Sequence, residues 1–545
     1  MLLRLWRQRK YAYLRRIMRG NARCRRSVGF ETMRNLKSGL IDVNVASLSP
    51  MESWFFGTFS KDAEIAIRQF VFDRYGGSRL TYALFEYFGC KIPVKMAMPK
   101  TWRNYFKFNE LPVNNFFSAI AWQVEIGLRY LNGILEIGRL CLKQIKGCKS
   151  GANLGQYVYL SGLSPSNLPP HFASEHNYDI CNWYAQWNDK ISGISSIVHD
   201  VKGETPREIY SFKVCFAPPP YEFPMDWNRR LIFLLWSVAA IIWAGLNILV
   251  GRWHCALVLG EAAKANAFRQ IKSDRIASQY LFHASRTIYR PLWTYEAEKM
   301  GAQVALYFYS TIAQPTLQSG PVSQKFEWGP NTWPKFIVWD DYQEVRVRRD
   351  LGYSMIIQKA GPIFFSDLGD SLGNLPNNSI AVFDIQPHRL SSHLGFSTLA
   401  DCLAEHPDFY HRFLREVIEV LLDCGANVAL KAKRDIDSRG DRRYGQLLKE
   451  FEHRAGVRFI NPAVSAMRLS MSCVASISAP FTSAALYAKK VEIPSVYYDP
   501  VRWMQRNDEA AHGVPVLFGK NELRIWVNEI LNGKLKNSEI LNPTF

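Results

Sequence analysis

The sequence predicts an α/β protein of two or three domains, with a doubly wound parallel sheet in its C-terminal half and a helical, basic extension in front. Three observations carry this. At 545 residues the chain is too long for one ordinary core. From Lys335 onward, short apolar runs alternate with helical patterns, the order expected of parallel strands joined by crossover helices. At the other end, ten Lys/Arg precede the first acidic residue, Glu31.

The C-terminal alternation places strands near 336–339, 355–358, 380–385, 428–430, 457–460, 474–477 and 495–498. Helices fall near 410–422, 444–454, 463–471 and 483–490. Gly425 and Gly456 follow two of these helices, where a left-handed residue ends a helix at least cost. Ligands of such sheets bind outside the carboxyl ends of the strands. Those ends carry Gln386-Pro387-His388, Lys431-Ala432-Lys433-Arg434, Asn461-Pro462, Pro480-Phe481-Thr482-Ser483 and Tyr498-Asp499-Pro500. Cations on one loop and two hydroxyls at a helix start on another suit a phosphate. By spacing alone, Thr482 or Ser483 is more simply a helix N-cap, and Asp499 a cap of the turn made with Pro500.

Upstream, the strand near 157–160 and a possible strand at 194–198 begin a further α/β domain. The segment 313–334, rich in Pro, Gly, Ser and Gln, reads as the interdomain linker. The expected division is therefore 1–150, 151–330 and 331–545. From 116 to 145, apolar residues recur at three- and four-residue steps through Phe117, Ile120, Val124, Leu128, Leu131, Leu135 and Leu142. That is one face of a long helix, which ordinarily packs on a core. Residues 30–110 give little periodic signal.

Residues 231–251 hold no charge and only two clearly polar side chains, Ser237 and Asn247. As a helix they would measure about 31 Å, enough to cross a bilayer core. Yet strands of one domain lie on both sides, and Arg229, Arg230 and Arg252 flank both ends. A buried or membrane-dipping helix is expected, with a span as the alternative. The basic N-terminus, interleaved with Leu and aromatic residues, suits first an anionic lipid surface, with a transit peptide or a solvated tail as the alternatives.

The formal net charge of +19 fits a nucleotide, a polyanion or an anionic membrane. No helix-turn-helix or aromatic RNA-binding pattern accompanies it, so no nucleic-acid partner is expected. The ten cysteines include no CxxC pair; neither a structural zinc nor a disulfide framework is expected, and a reducing compartment fits. Walker, GxGxxG and GxSxG motifs are absent.

Several of these stretches together resemble the bacterial polysaccharide-biosynthesis proteins grouped by a Pro-Phe-Thr-Ser motif. They are Pro480-Phe481-Thr482-Ser483, the stretch from Ser495 to Pro500, Lys431 to Arg434, Phe383-Asp384 with Pro387, and Tyr289 to Glu298 leading to Tyr307-Phe308-Tyr309. The resemblance implies the GT-B architecture, two Rossmann-like domains facing a cleft. It implies a metal-independent, inverting glycosyltransferase, with a nucleotide-sugar as substrate and no resident cofactor. The acceptor would be a surface polysaccharide or lipid-linked glycan, and the place the cytoplasmic face of the bacterial inner membrane. The alternative is a non-catalytic subunit of a polysaccharide assembly machine.

More distantly, the C-terminal half is similar to bacterial sialyltransferases and capsular Kdo transferases. Their His-Pro after a lysine-bearing strand is replaced here by Lys433-Arg434, so a CMP-activated acidic sugar does not follow. On this reading Lys431, Lys433, Arg434, Pro480, Phe481, Thr482, Ser483, Tyr498 and Asp499 hold the donor. The base comes from the N-terminal domain, with Glu296 first, then His283 and Asp179. Arg290, Trp293 and Tyr295 would meet the acceptor, although Arg290 is more readily a partner for a helix-end carboxylate.

Overall fold

A computed structural model of the chain describes residues 36–37, 39–146, 156–163, 167–169, 179–188, 193–203, 206–209, 211–283, 289–310, 331–352, 354–365, 372–387, 407–432, 440–462, 464–480, 482–502, 504, 506 and 511–533. The basic segment before residue 36, most of the expected linker, Lys433, Arg434 and Phe481 lie outside these.

Two sheets organise the molecule. The first contains β1 (Tyr157–Ser161), β2 (Ser196–His199), β3 (Arg207–Ile209), β4 (Phe212–Phe216), β5 (Gln279–His283), β6 (Gln303–Tyr307), β7 (Lys335–Val338) and β8 (Ile356–Lys359). Its order is β3-β4-β2-β1-β5-β6-β7-β8. All pairings are parallel except β3 with β4 at the edge. The second sheet contains β9 (Ser379–Asp384), β10 (Asn427–Ala432), β11 (Val457–Ile460), β12 (Ala475–Ser478), β13 (Ser495–Asp499) and β14 (Val516–Phe518). Its order, β11-β10-β9-β12-β13-β14, is the Rossmann order and is wholly parallel. Central strands such as β5 and β9 are buried along their whole length, as strands covered on both faces must be. The chain is thus an α/β protein with two doubly wound sheets.

One boundary moves. β7 and β8 were expected to open the C-terminal domain. Instead β7 pairs with β6, through Leu306↔Phe336 and Tyr307↔Ile337. The first sheet therefore continues past the Pro/Gly-rich segment, and the second begins at Ser379. Composition marks a connection, not which sheet the next strand joins.

The helices are α1 (Ser53–Phe56), α2 (Ala63–Val71), α3 (Ser78–Cys90), α4 (Lys100–Phe108), α5 (Asn115–Lys146), α6 (Ile180–Asn188), α7 (Trp227–Leu249), α8 (His254–Arg269), α9 (Trp293–Lys299), α10 (Asp341–Leu351), α11 (Pro407–Asp423), α12 (Arg442–Glu452), α13 (Ala466–Met471), α14 (Ser483–Lys490) and α15 (Gly519–Leu531). α8 is buried along nearly its whole length. It touches the first sheet through Phe268 and Tyr280, whose rings lie 5.9 Å apart. α5 and α7 lie over it. Where α5 meets α8 the backbones come close: a Cβ on Gly133 would sit 2.7 Å from that of Leu259.

The two sheets are tied together. Buried residues of α14, β13 and β14 share one apolar cluster with Phe336 and Trp339. His512 Nδ1 lies 2.7 Å from Asp340 Oδ2, and Lys489 donates to the His512 carbonyl at 2.8 Å.

The α5–α8 approach makes a direct test. Gly133→Ala overpacks it and lowers stability by about 1–3 kcal/mol. Gly138→Ala, on the same helix with open space around it, stabilises by up to about 1 kcal/mol. Urea unfolding of the two variants measures both; a neutral Gly133→Ala would mean that the helices are farther apart.

Candidate functional site

The carboxyl edge of the second sheet brings together Lys431, Pro480, Thr482, Ser483, Tyr498 and Asp499. Register fixes how they face. Lys431 pairs with Phe383 and Phe383 with Ser478, which in turn pairs with Tyr497. These four form one row on one face, with about 4.8 Å between neighbouring strands. The chain runs from β9 toward β10 and β11, then returns to β12. The switch point lies between β9 and β12, and α14 starts beside it.

The start of α14 is not capped by a side chain. Thr482 Oγ1 donates back to the Ala479 carbonyl at 3.0 Å instead of accepting from the helix. Tyr497 Oη pins the turn by donating to the Thr482 carbonyl at 3.0 Å. Elsewhere Asp340, Asp441 and Ser465 cap α10, α12 and α13 with their side chains. The simple N-cap reading of Thr482 and Ser483 is therefore corrected. Among the described residues, the cap position gives the first amides of α14 no side-chain acceptor, at the end of the helix whose dipole favours an anion.

Tyr498 and Asp499 are structural here. Tyr498 Oη donates to Glu416 Oε2. Asp499 accepts from the amides of Val501 at 2.9 Å and Met504 at 2.8 Å, closing the turn after β13.

Across the interdomain contact, His283 ends β5. The first sheet reverses between β1 and β5, so His283 stands at that switch point. Its Nε2 lies 2.7 Å from the Gly162 carbonyl, in the loop after β1. Asp200, after β2, holds the same loop by accepting from Gly162 at 2.7 Å and Leu163 at 3.2 Å. Tyr309 packs on His283, ring centroids 5.3 Å apart. Tyr309 also lies close enough to Tyr487 of α14 for its charge to raise the Tyr487 pKa, adding to the larger effect of burial. The ring of Phe364 is 5.2 Å from that of Tyr487. α14 thus leans on the carboxyl edge of the first sheet, near His283.

The other expected residues of that domain have structural places. Asp179 accepts from Cys181 at 2.7 Å and Asn182 at 2.9 Å, as the cap of α6. Glu296 is buried, receiving Arg269 Nη2 at 2.6 Å and the Thr58 amide and hydroxyl at 3.0 and 2.6 Å. Burial works to raise its pKa, but the bonds from Arg269 and Thr58 and the Arg269 charge outweigh it and hold the carboxyl below its ordinary value. Gly57, at φ +60°, is required beside this pair: a Cβ there would meet Arg269 Nη2 at 1.6 Å. Glu296 is a clamp between the N-terminal helices and α9, not a base facing a cleft. Arg290 is buried and pairs with Glu298 Oε2 at 2.5 Å, its guanidinium 3.9 Å from the Tyr295 ring centre. Trp293 packs among Phe268, Tyr280 and Phe282. Arg290, Trp293 and Tyr295 are core, so they do not form an acceptor surface.

One metal-capable group was not foreseen: Glu52, His254 and Cys255, with ligand atoms within 4.8 Å of one another. Glu52 Oε1 lies 2.7 Å from His254 Nε2 and receives the Cys255 thiol at 3.7 Å. Burial, then the Glu52 charge, pushes the thiol pKa up. A protonated thiol and a satisfied carboxylate make this a buried hydrogen-bonded triad.

Sequence reasoning also missed Asp384 as a site residue, although Phe383-Asp384 was part of the resemblance. It ends β9 at the switch point and is 2% exposed. Neither carboxylate oxygen has a side-chain partner among the described residues, and the backbone group that bears on it is the amide of the adjacent Ile385. Burial pushes its pKa up to about 8, opposed only by the Ile385 amide. Buried polar groups left without partners are rare and cluster where ligands bind. No sequence pattern reports that a carboxyl lacks a partner.

Asp384 holds its proton more tightly in the folded chain than in the unfolded one, where carboxyls titrate near ~3.9. Its stabilisation is complete below that value and is lost as pH rises toward about 8. Asp384→Asn therefore gains stability relative to the wild type between pH 5 and pH 8, by up to roughly 1.4 kcal/mol per unit. Urea midpoints across this range measure it; parallel curves for the two proteins would contradict the assignment.

Comparisons with known proteins complete the picture. No curated protein matches the sequence. Solved structures that superpose on parts of the chain include a pneumococcal O-GlcNAc transferase in complex with UDP and GlcNAc, at TM-score 0.28 and 11% identity over 48% of this chain and 55% of that one. The UDP-GlcNAc 2-epimerase of Methanocaldococcus jannaschii superposes at TM-score 0.36 and 9% identity, over 71% and 93%. UGT2 of Phytolacca americana, solved with UDP-2-fluoro-glucose and pterostilbene, does so at 0.35 and 10%, over 71% and 94%. The chain spans little more than half the length of the first of these. TM-scores this low carry no functional argument, and the fold is read from the strand order itself. The family model for the polysaccharide biosynthesis PFTS motif protein matches residues 236–527. That match covers more than half of the chain, from α7 to α15 and including the uncapped turn at α14: the chain belongs to the PFTS-motif family of polysaccharide biosynthesis proteins.

Proposed function

We propose that the protein is a GT-B-type glycosyltransferase that moves a sugar from a nucleotide donor to a surface polysaccharide or lipid-linked glycan. The observation that carries this is the uncapped start of α14, set at the switch point of a Rossmann-ordered sheet and leaning on the sheet edge that bears His283. The donor phosphate lies on the first amides of α14, with Ser483 and the Thr482 backbone around it. Lys431 adds positive charge from the same sheet face, and Lys433 and Arg434 follow it in sequence.

In the reaction, the acceptor hydroxyl oxygen attacks the anomeric carbon while the bond from that carbon to the phosphate oxygen breaks. The acceptor proton passes to His283, and the negative charge that develops on the departing phosphate falls on the α14 amides and the nearby cations. Stabilising charge where it appears is the largest single contribution such a site makes. A single displacement inverts the anomeric centre. Asp384, held neutral at pH 7, adds a hydrogen-bond donor at the same switch point. Among the base candidates His283 is preferred because Glu296 and Asp179 are already saturated by Arg269, Thr58 and helix amides.

A thermal-shift panel of CMP-, UDP-, GDP- and dTDP-sugars tests the reading. One nucleotide class is expected to raise the melting temperature. The Thr482→Ala/Ser483→Ala double variant and Lys433→Ala are expected to weaken binding at least about tenfold, roughly 1.4 kcal/mol. His283→Ala keeps the shift and loses turnover by about 10²-fold or more. If no nucleotide stabilises the protein, the scaffolding alternative replaces the transferase.

A further inference from the structure

We propose that α5 and α7 together form a monotopic membrane-binding face that enters one leaflet of an anionic bilayer without crossing it. The periodic stripe of α5, expected to pack on a core, faces outward. Ile120, Val124, Leu128, Leu131, Leu135 and Leu142 are all exposed, Leu135 to 70%. The opposite side of α5, with Trp122, Ile126, Ile137 and Leu140, is the buried one. The helix therefore carries two apolar stripes where a soluble surface helix carries one.

α7 repeats the pattern. Phe233, Ala240 and Ala244 are buried, while Leu231, Leu235, Val238, Ile242, Leu246 and Leu249 are exposed. It is the one described helix long and apolar enough to cross a membrane, and most of it is not buried in the protein. The two helices lie side by side: Tyr130 Oη on α5 donates to the Ile241 carbonyl on α7 at 3.0 Å. Both rest on α8, so their outer stripes look away from the protein body as one surface. Apolar surface on this scale marks an interaction site.

Charge and aromatic placement select lipid as the occupant. No charged side chain interrupts the α7 stripe. Arg229 and Arg230 stand at its start and Arg252 just after its end. Trp227, 74% exposed, marks the start. Trp54 joins Trp236 and Trp243, at ring distances of 6.5 and 6.1 Å, along the helix. Trp and Arg at the ends of an apolar helix are interfacial anchors. On α5, Glu125 and Glu136 are neutralised by Arg129 and Arg139 on the same helix, at 2.9 and 2.6 Å. The chain's net charge of +19 favours anionic headgroups.

Topology excludes a crossing. β4 precedes α7 and β5 follows it, and both belong to one sheet, where β1 pairs with β2 on one side and β5 on the other. A chain that crossed along α7 would have to return along α8, which carries Glu261, Lys264 and Arg269 and is buried in protein. α5, with 32 residues and about 48 Å long, exceeds the hydrocarbon thickness and fits a helix lying in the plane.

This inference stands whether or not the protein transfers sugar. Flotation of the full-length protein with vesicles of 70:30 phosphatidylcholine:phosphatidylglycerol tests it. The wild type is expected to float and to remain bound in 1 M NaCl. Leu128→Glu/Leu135→Glu on α5 and Leu235→Glu/Ile242→Glu on α7 are each expected to cut the bound fraction at least tenfold, with unchanged circular dichroism and urea midpoint. Cysteines introduced as D226C and R252C are expected to react with an impermeant maleimide from outside sealed vesicles, mapped by peptide mass. A wild type that does not float overturns the proposal, as does an α5 variant that binds normally. Protection of only one introduced cysteine would mean a span. A stable dimer split by the same substitutions would assign the face to a second copy of the chain.

Discussion

The pairing of β1 with β5 is the constraint on which the rest of the structure depends. These strands are hydrogen-bonded neighbours from Val158↔Gln279 to Ser161↔Phe282, yet nearly 120 residues separate them in the chain. The chain between them must move away from β1 and then return to the strand position on its other side. β2, β3 and β4 fill one side, and α7 and α8 make the return journey as an antiparallel pair. Parallel strands cannot be joined without such a crossover. The reversal also creates the switch point where His283 and the Gly162 loop meet.

The second sheet repeats the logic on a smaller scale. β9 pairs with both β10 and β12, and the reversal there leaves Asp384 and the start of α14 at one edge. α14 is the hinge between the two reversals. Its Ala485 and Leu486 join the cluster that holds Phe336 and Trp339, and Tyr487 approaches Tyr309 and Phe364. An anion on its first amides would sit within the joint of the two sheets. On that proposal the site is a product of packing: the helix assigned to the phosphate is also the one that binds the domains together.

What the sequence made legible follows from burial. β9 and the middle of β10 are apolar runs because both of their faces are covered. β11 at 457–460 and α14 at 483–490 coincide with the expected bounds. Gly425, at φ +78°, follows the end of α11 as foreseen, whereas Gly456, at φ +82°, lies four residues beyond α12 in the turn into β11. β5 was hidden because Gln279 and His283 interrupt its apolar run at both ends. The N-terminal helices were passed over although α2 buries Ala63, Ala66, Ile67 and Val71, and α4 Trp102 and Phe106, at three- and four-residue steps; each runs for only nine residues, too few turns for the period to stand out among the surrounding aromatics. Periodicity identified the α5 stripe but not what it faces, since a core and a bilayer demand the same residues. The site failed in a different way. Glu296 looked available because its partner Thr58 lies 238 residues away. Asp384 looked ordinary because isolation inside a fold leaves no trace in the chain. Arg290 was legible in its second sense, as the partner of a helix-end carboxylate.

The central claim is that the donor phosphate is held by the first turn of α14, opposite His283. A structure of the protein bound to its nucleotide donor tests this most directly. The account predicts phosphate oxygens about 3 Å from the amides at the start of α14, with the sugar directed toward His283. A nucleotide seated elsewhere, with the α14 amides facing only water, would contradict it.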